Sequence, residues 1–224
     1  MRWKIFSQMK TLIVGVGGVT NGGKSTLSGH LHQQIPNSCI IEQDYYFKDE
    51  SMVPADSNGF LQYDMLEALH MDVMMSDVDS WRRDPESFLR QRSLNAASSL
   101  QDKEVFVLIV DGFLIFNHRA LNDLFDKRYF LEIPYEVCKT RRRFKVEHKQ
   151  TNKKASCFTS SRSYTPLDPP GYFDGHVWPM YLKNRQAMES VASGIVFLDG
   201  LKPKEELLAA VYKDVYQEME RLKC

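Results

Sequence analysis

The stretch GVTNGGKS, residues 18–25, constrains this chain more than any other feature, because it fits G-x-x-x-x-G-K-[ST] and its flanks give that pattern physical meaning. The apolar run 11–16 before it reads as a buried strand, and residues 26–34 after it read as a helix. A glycine-rich turn between strand and helix lets backbone N–H groups converge on phosphate oxygens at the positive end of the helix dipole. Gly18, Val19, Thr20, Asn21, Gly22, Gly23 and Thr26 then line a nucleotide-phosphate site. Lys24 reaches the β- and γ-phosphates, and the Ser25 hydroxyl is placed to coordinate Mg²⁺. A chance glycine-rich turn is the alternative, and the register of strand, glycines, Lys-Ser and helix speaks against it.

A chain of 224 residues suits one α/β domain, 1–224, with a core large enough to need no disulfides. Twenty-nine basic and 29 acidic residues cancel, so no global field draws the chain to nucleic acid or to an anionic membrane. Cys39, Cys138, Cys157 and Cys224 are scattered, without C-x-x-C or zinc spacing, which predicts reduced thiols and a cytoplasmic setting. No apolar stretch is long enough to cross a bilayer. The first residues carry Arg2, Lys4 and Lys10 ahead of an apolar run, as a signal peptide would. That run is short, contains Gly15, Gly17 and Gly18, and leads straight into the glycine-rich turn, so it reads as the first core strand.

Short runs rich in β-branched and aromatic residues recur at 11–16, 39–42, 105–110, 129–133 and 195–198, as expected of strands buried on both faces of a parallel sheet. Longer amphipathic stretches lie between them. The last places Leu208, Val211, Val215, Met219 and Leu222 at helical spacing behind Pro203 and the acids Glu205 and Glu206, which suit a helix N-terminus. Alternating strands and helices predict a three-layer α/β fold with ligands at the carboxyl ends of the strands. Residues 143–159, RFKVEHKQTNKKASCFT, break the pattern: basic, polar and without sustained periodicity, they read as a solvated loop rather than a nucleic-acid patch. His148 and Cys157 there lack the partners of a metal site.

Two carboxylates fall at strand ends. Asp44 closes the run CIIEQ and is followed by Tyr45, Tyr46 and Phe47; it can accept a hydroxyl proton or help hold Mg²⁺. Asp111 closes VFVLIV, where an acid orients Mg²⁺ or its water shell, although either acid also suits a plain turn. No N-K-x-D guanine motif is present, which counts against a GTPase. Arg141, Arg142 and Arg162 supply a mobile positive cluster of the kind that neutralises phosphate charge when a lid closes. Tyr63 and Asp64 head an amphipathic stretch, where Asp64 suits either a helix cap or a ribose diol. PGYFDGHVWPMY, 170–181, reads as packing at a helix entrance.

Taken together, GVTNGGKST, QD with its aromatics, GFLQYDMLEALHM, DGFLIFN, IPYEVCK, DPPGYFDGHVWPMY and VFLDG resemble nicotinamide riboside kinase from about Met9 to the C-terminal helix. Uridine kinases and other small P-loop metabolite kinases share the architecture but not these segments. The resemblance implies a five-stranded parallel sheet flanked by helices, with a lid at about 141–164. It implies phosphorylation of the 5′-hydroxyl of nicotinamide riboside by ATP with Mg²⁺, in NAD salvage, with nicotinic acid riboside as a second candidate substrate. Asp44 matches the proton acceptor and a metal ligand, Ser25 a metal ligand, and Asp111 the third metal-site position. Tyr63 and Tyr164 match residues flanking the pyridine ring; Asp64 and Arg142 match ribose contacts; Tyr45, Tyr46, Phe47 and Thr165 fall in substrate-contact segments. Arg141, Arg162, Ser163 and Tyr164 match the lid beside the nucleotide, and Lys202, Pro203 and Lys204 a loop beside the adenine.

Three departures stand out. Family members usually carry Glu at the position of Asp111 and an acid at that of Tyr45. Residues 143–159 read as a disordered insert in the lid, whose lengthening about threefold costs only about 1 kcal/mol in closure entropy but bears on lid geometry. Residues 1–8 read as an N-terminal extension. The alternatives are a kinase for uridine or another nucleoside, and a lid-impaired binding protein on a kinase fold. The partner expected is a small molecule; nothing in the sequence identifies a protein partner.

Overall fold

The short apolar runs become the strands β1 (Lys10–Gly18), β2 (Ser38–Glu42), β3 (Val105–Asp111), β4 (Lys127–Glu132) and β5 (Ile195–Asp199). In this computed structural model, which describes residues 9–92, 105–151 and 168–223, they pair in parallel in the order β2-β3-β1-β4-β5. Parallel neighbours need crossover connections, and these are made by α1 (Lys24–Gln34), α2 (Met71–Arg83), α3 (Pro85–Arg92), α4 (Arg119–Asn122), α5 (Tyr135–Thr151) and α6 (Trp178–Val191). The chain then runs into α7 (Lys204–Lys223).

Alternation along the strands divides the core into two layers. Leu12, Val14 and Val16 of β1, with Val105, Val107 and Ile109 of β3, pack on Leu27 and Leu31 of α1 and on Leu207, Val211, Val215 and Met219 of α7. Their neighbours Ile13, Phe106, Leu108 and Val110 face the other way, toward Met74, Val78 and Trp81 of α2 and Met188 of α6. Every residue of β3 is buried, which is why this strand reads as an unbroken apolar run. On α7 the buried stripe starts at Leu207 and continues through Val211, Val215 and Met219, with Leu208 and Leu222 only partly buried at its flank. The glycines of β1 make room for one ring: a Cβ on Gly15 or Gly17 would lie 2.6 or 2.5 Å from Phe116.

Register then sets the carboxyl edge. Val16 pairs with Asp111, and Asp111 with Glu42, so two acids share a row beside the end of β1. On the other side Gly18 pairs with Leu131.

The structure corrects three expectations. Residues 143–151 continue α5 as helix instead of forming a disordered insert. Their Lys, Arg, Glu and Gln content favours helix even without an apolar stripe. The rest of that segment, with Cys157, lies outside the described residues, as do residues 1–8. Asp64 caps no helix: it sits in a turn before the single-turn helix Leu66–Ala68, and α2 starts only at Met71. The second strand ends at Glu42, and Asp44 lies on a separate turn, Gln43–Tyr46. The Gln43 side chain causes the break, because its Oε1 accepts from the N–H groups of Phe113 and Leu114 at 3.1 and 2.9 Å, across from β3.

Candidate active site

Beyond β1 the chain turns through Asn21 (φ 57°) and Gly23 (φ 102°), a left-handed path that brings it round into α1. Gly23 is the N-cap of α1 with no side-chain cap, and the first turn carries no acid. The helix therefore presents its free N–H groups and positive end to a ligand anion. Val19 anchors this loop by donating to the Leu131 carbonyl at 3.3 Å, and Lys24 Nζ folds back on the Val19 carbonyl at 2.9 Å. Cys138 supports the loop from α5: its thiol donates to the Thr20 carbonyl at 3.2 Å. Burial pushes that thiol up to about 11, so it remains a neutral donor. Arg141 reaches the carbonyls of Asn21 and Gly200 at 3.5 and 3.4 Å, tying α5 to the loop and to the turn after β5. A Cβ on Gly200 would lie 3.3 Å from the Gly22 carbonyl, so the segment leading to Lys202, Pro203 and Lys204 starts against the glycine-rich turn. Lys202 itself is exposed and paired with Glu206 at 2.6 Å.

Asp111 is the unusual carboxylate. It is 4% exposed, and burial pushes it up to about 6; Lys24 and a hydrogen bond from Ser25 pull it down, while Asp44 and Glu42 raise it further. One of its oxygens, Oδ2, is buried without a hydrogen-bond partner. Orphaned buried oxygens are costly, and this carboxyl also takes a hydrogen bond from Ser25 and feels Asp44 and Glu42 nearby. That donor set suits a hard cation. Among the described residues no group of three His, Cys, Asp or Glu forms a metal cage. Mg²⁺ fits such a site, since it takes one or two protein oxygens and leaves the rest to phosphates and water.

After Asp44, Phe47 stacks on Phe113 (5.7 Å between centroids, 4° between planes) and meets Tyr63 edge-on at 5.8 Å. Tyr45 is 73% exposed, whereas Tyr46 is turned into the core, with its hydroxyl on Asp77 of α2 at 2.6 Å. Tyr46 is therefore not presented to a ligand as expected. Asp64 is held through its carbonyl by Asn184 Nδ2 at 2.8 Å, and its Oδ2 lies 3.5 Å from His176 Nε2. Arg142 is not part of a mobile cluster. It is 6% exposed on α5 and grips Asp168 with two bonds of 2.5 and 2.9 Å, its guanidinium 6.0 Å above the Tyr172 ring. Arg162, Ser163, Tyr164 and Thr165 lie outside the described residues.

The structure thus brings Lys24, Ser25 and Asp44 close enough to act on the Asp111 carboxyl, with Arg141 on the neighbouring Asn21 carbonyl. Sequence reasoning passed over Glu42, Gln43, Phe113, Asp168 and His176. Asp168 and His176 fall inside DPPGYFDGHVWPMY, so the unusual composition of that segment was the available signal.

A parallel sheet with a glycine-rich phosphate cradle after its central strand, an uncapped helix N-terminus and acids at the neighbouring strand ends define a P-loop kinase fold. No family model matches the chain. It is 48% identical over 213 residues to nicotinamide riboside kinase 1 of Rattus norvegicus, covering 95% of this chain and 98% of the relative. Identity is 45% to nicotinamide riboside kinase 1 of Homo sapiens (96% and 98% covered) and 44% to nicotinamide riboside kinase 2 of Mus musculus (91% and 95%). The chain belongs to the nicotinamide riboside kinase family.

Proposed function

We propose that this chain transfers the γ-phosphoryl group of ATP to the 5′-hydroxyl of nicotinamide riboside, giving nicotinamide mononucleotide and ADP. The observation that carries this reading is the conjunction of Lys24, Ser25 and a buried Asp111 with an unpaired oxygen, beside Asp44 on the turn that follows β2, in a chain of this family. The 5′-oxygen forms a bond to the γ-phosphorus as the bond to the β–γ bridging oxygen breaks, and Asp44 accepts the hydroxyl proton. Lys24 neutralises charge on the β- and γ-phosphates, and the N–H groups at the start of α1 hold them in place, so positioning supplies most of the acceleration. Ser25, Asp111 and Asp44 would hold Mg²⁺, which when bound neutralises phosphate charge.

Tyr63 and Tyr164 flank the pyridine ring in this reading. Nicotinamide riboside carries a permanent positive charge, and an aromatic face attracts it by about 0.5–2 kcal/mol. Asp64 and Arg142 receive the ribose hydroxyls; Arg141, Arg162, Ser163 and residues 202–204 border the nucleotide. Tyr45, Phe47 and Thr165 complete the acceptor side. The whole chain works as one kinase domain with its lid at about 141–164. No described helix is long and apolar enough to cross a membrane, and Cys39 and Cys138 are buried free thiols, which supports a cytoplasmic setting.

The test is ADP release by the purified chain with MgATP or MgGTP and, in turn, nicotinamide riboside, nicotinic acid riboside and uridine. A kcat/KM highest for nicotinamide riboside is expected. Uridine outperforming it would overturn the acceptor assignment and leave a nucleoside kinase of the alternative kind.

A further inference from the structure

Nothing in the phosphate chemistry uses the segment 170–181, although its composition is among the most distinctive in the chain. Its core is a π-helical turn, Phe173–Val177, that runs directly into α6. Such turns cost hydrogen-bond geometry and recur at functional sites. This one is packed against the loop that carries Tyr63 and Asp64: a Cβ on Gly175 would lie 3.1 Å from the Phe60 ring, and Phe60 meets Tyr172 edge-on at 5.5 Å. Tyr172 donates its hydroxyl to the Leu61 carbonyl at 2.6 Å and stacks on His176 at 5.1 Å.

The turn thereby presents one face, Tyr172 and His176, to the two residues expected at the ribose. Tyr172 lies under the Arg142 guanidinium. His176, 3% exposed, aims Nε2 at Asp64 Oδ2 from 3.5 Å, and that nitrogen has no hydrogen-bond partner. A histidine serving only as core filling would have its ring nitrogens satisfied, because a buried unpaired polar atom is costly. Here the unsatisfied nitrogen faces a carboxylate whose backbone is already fixed by Asn184.

We propose that His176 is a positioning residue of the acceptor subsite: an Nε2–H directed at Asp64 Oδ2 orients that carboxylate and leaves Oδ1 for the vicinal hydroxyls of a riboside. The inference rests on the reading of Asp64 as a ribose ligand. His176 itself touches no substrate; it acts by holding one rotamer of Asp64, and the π-helical turn exists to bring it there.

The experiment measures kcat and both KM values for wild type, His176→Phe, His176→Gln, Asp64→Asn and the double variant His176→Phe/Asp64→Asn. Phenylalanine keeps the stack on Tyr172 but has no donor, and glutamine restores an N–H. The hydrogen bond that a correctly oriented Asp64 carboxylate makes to a ribose hydroxyl is worth about 1.5–3 kcal/mol, so releasing Asp64 by His176→Phe is expected to raise the riboside KM about ten- to hundredfold. Turnover should stay within about threefold and the KM for ATP should not move, because the phosphate cradle is untouched. His176→Gln should recover most of the loss, and the double variant should match Asp64→Asn alone. If His176→Phe does not fold, His176→Ala with the same glutamine rescue carries the comparison. An unchanged riboside KM, independent multiplication of the two effects, or joint loss of kcat and both affinities without rescue by glutamine overturns the proposal. Every arm is run with nicotinamide riboside and with uridine, which bears the same diol. A wild type active only on uridine would sink the acceptor assignment, while the cycle on uridine would still decide the role of His176.

Discussion

Asp111→Asn separates the catalytic demand on this carboxylate from its cost to the fold. Asp111 is pushed from its ordinary 3.8 up to about 6, chiefly by burial. Between about pH 4 and 6 the folded chain therefore holds a proton that the unfolded chain has released. Stability is full at the acid end of that window, falls as pH rises through it, and stays lower above it. Each tenfold difference in proton affinity is worth about 1.36 kcal/mol, so ionised Asp111 costs the folded state about 3 kcal/mol at neutral pH. Asparagine does not ionise and keeps an oxygen for the Ser25 hydroxyl. The assay is urea unfolding of nucleotide-free protein in EDTA at pH 4, 5, 6 and 7, for wild type and variant. Any fixed packing effect of the amide cancels when the stability difference is compared across pH. That difference should shift by about 2–2.5 kcal/mol in favour of the variant from pH 4 to 7, the remainder lying below pH 4. In MgATP the order should reverse: wild type gains thermal stability and turns over, and the variant does neither. A difference independent of pH would refute the reasoning, because Asp111 would then carry no burial penalty for a cation to relieve.

Lys24→Ala should abolish phosphoryl transfer yet leave a folded chain with a cooperative urea transition, at a cost in which the part-buried bond to the Val19 carbonyl counts for about 1 kcal/mol; turnover near that of wild type would remove Lys24 from the phosphate site. Asp44→Asn should retain nucleotide binding by calorimetry and lose about 10²–10⁴ in kcat; near-native turnover would remove Asp44 as proton acceptor. Trp81→Ala, at a fully buried position between α2 and the sheet, should cost about 3–5 kcal/mol in urea unfolding, and a cost under about 1 kcal/mol would contradict the packing of that layer.

What was legible in the sequence divides along physical lines. Strands buried on both faces carry continuous apolar runs, so 11–16, 105–110 and their companions were readable to within a few residues. The phosphate cradle was readable because glycine, lysine and serine act locally, within one turn. Residues 143–151 were misread because helix there rests on propensity rather than on an apolar stripe. Asp64 was open to a capping role because a polar residue ahead of an apolar stretch looks the same whether or not a helix starts there. The remaining features are long-range: Gln43 with Phe113 and Leu114, Tyr46 with Asp77, and His176 with Asp64 are joined only by the fold. No local pattern announces which nitrogen will be left facing which carboxylate.

The most direct test of the central claim is product identity. Purified protein incubated with MgATP and nicotinamide riboside should yield ADP and a riboside monophosphate in equal amounts, with phosphorus–proton coupling in the NMR spectrum placing the phosphate on the 5′-oxygen. ADP formed without phosphorylated riboside, or phosphate on a ring hydroxyl, would contradict the arrangement of Lys24, Asp44 and Asp64 proposed for this site.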